Sequence, residues 1–377
     1  MTRKQPNNPF LLSGYISPDY FCDRENETKK LTSALYNGRN VTLMSPRRMG
    51  KTGLIRHVFN RVETANEANC FYVDLYQTDS LASLVRKLGQ AVLGKLDTTE
   101  QRVIKKIATF FKSLRPVISV DAVTGEPEFS VAVEPDMAEH SLAEIFAYME
   151  QAEKRCYIAF DEFQSVADYS DKRVEALLRA HIQHLTNVNF IFSGSQQHTL
   201  ENMFATVSRP FYQSTQMLTL GTIDRDAYYT FANAQFGQNG QQITLEAFNH
   251  LYDELSAHTW YVQSILNRLY ETNNPVIDTV AVNMAIDETV AENEATFQTF
   301  LQLITPLQAK IMKAIALEGN IEKIQSKDFI QKHNLGAASS VKTGTTALVE
   351  KELLLSNEHG YCLYDRFFAQ YLRKMRQ

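Results

Sequence analysis

The chain has 377 residues, enough for two or three domains, each with a core of its own. Hydrophobic residues make up 44% and charged residues 21%, which excludes a disordered or fibrous chain and fits a globular one. A net charge of -5 excludes a protein that coats nucleic acid or anionic membrane with its whole surface, while leaving room for a local basic patch.

The first nine residues, Met1 to Pro9, contain no apolar stretch of the secretory kind. No apolar run approaches the roughly 18 to 20 residues needed to span a bilayer. The cysteines Cys22, Cys70, Cys156 and Cys362 lie far apart, with no CxxC or Cys/His ligand spacing. These features predict a reduced, cytoplasmic protein with neither a structural metal nor a membrane partner.

In chain order, residues 8–24 are rich in Asn, Pro, Gly and Ser, and a helix is predicted over 25–36. Asn40 to Ser45 is a β-branched run of strand length, followed at once by Pro46, two arginines and Gly50. The next stretch has apolar residues at Leu54, Ile55, Val58, Phe59 and Val62, which is helical spacing. A second strand is predicted over 70–75 and a helix over 80–96. Two alternating runs within 115–134, joined by Val123 to Pro127, predict an inserted β-hairpin. A helix over 141–153, a strand over 156–160, a helix over 173–185 and a strand over 188–193 complete the alternation. That alternation predicts an α/β fold: a parallel sheet with helices on both faces. Strand signals stop near Leu220, and 224–296 reads as helical. From Thr305 three short helical runs precede a hairpin around Asn357 to Gly360, the order of a winged helix. The predicted division is 1–220 for the α/β core, 221–300 for a helical lid and 301–377 for the winged helix.

The segment Ser45-Pro46-Arg47-Arg48-Met49-Gly50-Lys51-Thr52 matches the phosphate-loop pattern G-x-x-x-x-G-K-[ST], except for Ser45 at the first glycine. Gly50 lets the backbone pass close to phosphates, so that successive N–H groups and the positive helix terminus face them. Lys51 is the residue to reach the β and γ phosphates, and Thr52 the one to place a hydroxyl on Mg²⁺. Pro46, Arg47, Arg48, Met49 and Gly53 complete the predicted loop. The predicted ligands are ATP and Mg²⁺.

About 110 residues later an apolar strand ends in Asp161 and Glu162. Asp161 is predicted to hold the magnesium through water and Glu162 to polarise the attacking water. The strand ending at Ser193 offers Ser193, Ser195 and Gln196 as candidates for a polar sensor of the γ-phosphate, with an ordinary cap as the other reading of each. Arg209 is either a catalytic cation for the γ-phosphate, within the chain or across subunits, or a surface arginine before Pro210.

Together, Phe21-Cys-Asp23-Arg24-Glu25, the loop Ser45 to Thr52, Phe160 to Gln164 and Arg209-Pro-Phe-Tyr212 resemble the archaeal-type ATPase family of AAA-like and STAND-like P-loop ATPases. The resemblance spans roughly residues 8–270, and the remainder fits the winged helix that often follows. It implies an adenine pocket around Phe21 to Glu25, including Asp23 and Arg24. It also implies a five-stranded core sheet, a helical lid and a C-terminal winged helix. Where STAND proteins carry Gly-x-Pro in the lid, this chain has Ala257-His258-Thr259-Trp260-Tyr261; Trp260 packs either on the nucleotide or in the core.

Two functions follow from this layout. The first is a regulatory ATPase whose nucleotide state controls homo-oligomer assembly or a protein partner. The second is a DNA-associated ATPase acting through residues 305–377, where 11 Lys and Arg face 7 Asp and Glu. The third helix of that segment offers Ser339, Ser340, Lys342, Thr343, Thr345 and Thr346 to phosphates. Protein contact, or a clamp within the chain, is the other use of such a module.

Overall fold

The computed structural model describes residues 6–96, 111, 113–120, 127–357 and 360–375. Two compact units divide the chain: Ser13–Ile223, and Met1–Leu12 together with Asp224–Gln377.

The first unit is built on β1 (Val41–Met44), β2 (Ala68–Asp74), β5 (Arg155–Asp161), β6 (Val188–Gly194) and β7 (Gln216–Thr219). They form one parallel sheet in the order β2-β5-β6-β1-β7. β1 and β6 are buried along their whole length, as expected of strands with helices on both faces. Side chains alternate between two cores. Ile158, Phe160, Phe190 and Phe192 enter one, while Tyr157, Ala159, Ile191 and Leu43 enter the other. The second core is closed by α1 (Glu25–Tyr36) and α2 (Lys51–Thr64), through Leu31, Leu35, Leu54, Ile55 and Val58. The first is closed by α3 (Leu81–Leu96), α4 (Ala138–Glu150), α5 (Val174–Ile182) and α6 (Gln197–Ala205).

The fifth strand, β7, carries little sequence signal. It is an edge strand of four residues, of which only Leu218 is buried. The hairpin is present as β3 (Leu114–Val120) paired antiparallel with β4 (Pro127–Val133), and Val131 is buried against Gly89 of α3. Of the residues predicted to turn it, 123–127, Pro127 begins β4 and 123–126 lie outside the described residues.

In the second unit, α7 (Arg225–Gly237), α8 (Leu245–Glu254), α9 (Thr259–Glu271) and α10 (Thr279–Glu292) form a helical layer with a two-stranded ladder, β8 (Gln242–Ile243) and β9 (Val276–Ile277). The segment 8–12 runs along α9. Asn267 Nδ2 donates to Phe10 O at 2.8 Å, Gln263 Nε2 to Leu11 O at 3.3 Å and Trp260 Nε1 to Leu12 O at 3.2 Å. Phe10 is fully buried beside Phe236 and Tyr270. Trp260 belongs to this packing, edge-on to Tyr261.

After α11 (Glu294–Gln302), a capping box of Thr305 and Gln308 with Pro306 at the first helical position starts α12 (Pro306–Glu318). Then come α13 (Lys327–Lys332), α14 (Ala338–Glu350) and the wing β10 (Leu354–Asn357) with β11 (Gly360–Leu363). Ile321 adds a backbone bridge to Tyr361. A further helix, α15 (Arg366–Lys374), follows the wing and was not legible as a separate run. In the wing turn, Glu358 and His359 lie outside the described residues. On α14, Ser339, Ser340, Lys342, Thr343 and Thr346 are exposed. Thr345, expected on that exposed face, is buried instead, its hydroxyl donating to Val341 O at 2.8 Å, because it lies on the face that packs inward. Among the described residues, no helix is long and apolar enough to cross a membrane.

Candidate functional site

The loop between β1 and α2 has the backbone its sequence requires. Gly50 sits at φ +100°, a region that side chains with a Cβ rarely adopt, and Arg48 at φ +63°. Gly50 is the N-cap of α2 and brings no side-chain cap, so the first amides of the helix remain directed at the loop.

Lys51 is 6% exposed and folds back over that loop. Its Nζ donates to Ser45 O at 2.9 Å, Pro46 O at 3.2 Å and Ser45 Oγ at 3.3 Å. Burial lowers its pKa, opposed by the Glu162 and Asp161 carboxylates. Ser45 is buried, and its hydroxyl donates to Pro46 O at 3.0 Å. The serine at the first glycine position therefore contributes an oxygen that holds the lysine.

Asp161, at the end of β5, is 4% exposed and accepts four hydrogen bonds. Thr52 Oγ1 at 2.9 Å and the Tyr72 hydroxyl reach its Oδ2, while Ser193 Oγ at 2.5 Å and the Glu162 N–H at 3.1 Å reach its Oδ1. Residues 109 apart in sequence, Thr52 and Asp161, are thus in direct contact.

Glu162 stands at φ +53°. Its Oε2 accepts Gln164 Nε2 at 2.5 Å and Ser195 Oγ at 2.9 Å. The turn that follows is held by Phe163, fully buried against Phe192 at 4.6 Å, Phe204 at 5.8 Å and Phe211 at 5.6 Å. Packing thus over-determines the uncommon backbone at Glu162. Arg47 Nε lies 3.4 Å from Ser195 Oγ, and Arg48 is exposed.

A family model described as an ATPase domain predominantly from Archaea matches residues 21–265. The chain belongs to this archaeal-type ATPase family. A second model, described as a probable winged helix domain, matches residues 295–374. Among solved structures, the Walker-type ATPase of Pyrococcus abyssi is similar at 17% identity and a TM-score of 0.65, over 97% of this chain and 99% of that one. The ORC2 protein of Aeropyrum pernix, in ADPNP–ADP complexes, is similar at 16% identity and 0.56, over 98% of each chain. The ORC1 protein of the same organism, in complex with DNA, is similar at 12% and 0.53, over 97% and 96%. At these identities the likeness is one of fold. No curated protein matches the chain.

In this archaeal-type ATPase the remaining predicted residues are placed as follows. Asp23 and Arg24 both have left-handed backbone, at φ +52° and +66°. Arg24 is 3% exposed and braces the loop from behind, donating to Met49 O, Thr222 O and Glu27 Oε1, each at 3.2 Å. Met49 is buried, and Gly53 passes Phe21 so closely that a Cβ would lie 3.3 Å from the ring. Phe21 stacks on His57 at 4.4 Å, and burial lowers the His57 pKa. Arg209 is not brought into the Lys51–Asp161–Glu162 cluster by any of its polar contacts. Its Nη2 pairs at 2.5 Å with Glu175 on α5, whose carboxyl pKa is raised by burial and held back by Arg209.

Sequence reasoning missed Tyr72, Gln164 in its bonding role, and Gly194. Gly194 has ordinary backbone but no space: a Cβ there would lie 1.9 Å from Gln164 Oε1 and 2.9 Å from Leu200 Cδ1. Gly194→Ala is therefore expected to push Gln164 off Glu162, destabilise the fold by about 1–3 kcal/mol and lower turnover. Chemical denaturation and phosphate release together check this; parental values in both would contradict it.

The donor set fits a magnesium–nucleotide. It combines uncapped helix amides, a buried ammonium bonded to neutral oxygens, and a hydroxyl and carboxylate in contact, the hard oxygen ligands magnesium takes.

Proposed function

We propose that the protein binds ATP with magnesium and hydrolyses it as a nucleotide-dependent switch, read out by its helical and winged-helix segments (221–300 and 301–377). The observation that carries this reading is the contact of Thr52 with Asp161 beside the buried Lys51. It joins the two halves of a phosphoryl-transfer site that are far apart in sequence.

In this mechanism the α2 amides and Lys51 bind phosphate oxygens, with Lys51 exchanging the Ser45 and Pro46 carbonyls for them. Thr52 and Asp161 would hold the magnesium, which would supply charge neutralisation on the transferred group. Glu162 accepts a proton from, or orients, the attacking water, with its carboxylate fixed by Ser195 and Gln164. Ser193 ties the sensor strand to Asp161, so a shift at the phosphate end is felt on β6. Arg209, released from Glu175, is the cation proposed to complete the site, within the chain or across a homo-oligomer. A cytoplasmic location and a protein partner belong to the same reading.

DNA association is the second reading. It is supported by the exposed Ser339, Ser340, Lys342, Thr343 and Thr346 on α14 and by the fold likeness to an ORC1 protein seen with DNA. One lysine on that face is few for tight phosphate binding. Phosphate release by the purified protein, with and without duplex DNA, decides between them. Slow release indifferent to DNA is expected; stimulation that falls with salt and disappears in Lys342→Glu would establish the DNA reading instead.

A further inference from the structure

Tyr72 lies on β2, a strand to which the phosphate-loop pattern assigns nothing. Its hydroxyl donates to Asp161 Oδ2, the same oxygen that accepts Thr52 Oγ1. Above its ring lies the guanidinium of Arg56, 3.9 Å from the centroid. Arg56 is exposed and sits one helical turn after Thr52, so the two share a face of α2. Asp161 thereby has two donors on each oxygen, one pair from Ser193 and the Glu162 amide and one from Thr52 and Tyr72.

These donors differ in what metal binding asks of them. A hydroxyl that ligates a cation through a lone pair keeps its hydrogen to donate, so Thr52 can take magnesium and stay bonded to Asp161, but that bond then moves with the metal. Ser193 and the Glu162 amide hold Oδ1 independently of the metal, and on Oδ2 Tyr72 does the same. We infer that Tyr72 is a positioning residue for magnesium: it keeps Asp161 oriented toward the metal that Thr52 ligates, and Arg56 clamps its ring in place. The inference rests on the magnesium–ATP reading above and adds a residue and an element to it. Partners of this kind, bonded to a metal-binding carboxylate, typically contribute 10- to 100-fold in metal affinity.

The test is calorimetric titration of ATP into the full chain, in EDTA and over a range of Mg²⁺ concentrations. Tyr72→Phe keeps the ring and its packing and removes only the donor. Its ATP affinity in EDTA is expected to equal the parent's, while its half-saturating Mg²⁺ rises about 10-fold. Arg56→Ala is expected to raise it less, about 2- to 3-fold, and Arg56→Lys to recover part of that. A residue that only supported the fold would weaken ATP in EDTA as well, and that result would overturn the inference. So would an unchanged Mg²⁺ requirement in Tyr72→Phe when the parent shows a clear one. If the parent's own ATP affinity ignores Mg²⁺, the magnesium reading falls, and the role of Tyr72 with it.

Discussion

Lys51→Ala is expected to lower ATP affinity by at least about 100-fold, while leaving the melting temperature as high as the parent's. The affinity loss follows from charge-assisted hydrogen bonds to phosphate, each worth about 1.5–3 kcal/mol, of which the ammonium can make more than one. The stability half of the expectation comes from burial. The ammonium is 6% exposed and bonded only to neutral oxygens, and desolvation already lowers its pKa. Removing it discards a buried charge whose hydrogen bonds barely offset its desolvation. Calorimetry for ATP and a thermal melt without nucleotide check the two halves separately. ATP binding at parental affinity would remove Lys51, and with it the loop, from the site.

Glu162→Gln is expected to separate binding from turnover. ATP affinity should stay within about 3-fold of the parent, while phosphate release falls roughly 10²- to 10⁴-fold, the usual contribution of a positioned acid or base. Glutamine has the same shape, and an amide oxygen in the Oε2 position still accepts from Gln164 and Ser195. The uncommon backbone at φ +53° is held by Phe163 and its aromatic neighbours rather than by the carboxylate. What is lost is the capacity to accept a proton. Single-turnover phosphate release on bound ATP is the measurement. A parental rate there would take Glu162 out of the chemistry and leave Asp161 with the metal as the only carboxylate in it.

The phosphate loop, the α/β alternation and the winged helix are legible along the chain, because each is written over neighbouring residues. The loop is set by dihedral angles that Gly50 alone can adopt easily, and by the amphipathic spacing of the helix behind it. The order of short helices and hairpin after Thr305 is likewise local, fixed by a capping box and Pro306. Asp161 and Glu162 were legible because a run of six buried residues ends at them.

What those residues touch depends on how the strands and helices assemble. Tyr72 reads as an ordinary strand residue until β2 and β5 pair and bring its hydroxyl to Asp161. Gly194 is needed for the space that Gln164 fills, not for its own dihedrals, and space is invisible in a sequence. Arg24 braces the loop through Met49 O and Arg209 pairs with Glu175, contacts that the residues around neither arginine announce. β7 carries little apolar signal because only Leu218 of its four residues is buried, and helix spacing alone does not fix which face of α14 turns Thr345 inward. A chain announces its dihedral requirements and its periodicity; the partners of a charged or polar side chain are settled by which strands and helices become neighbours.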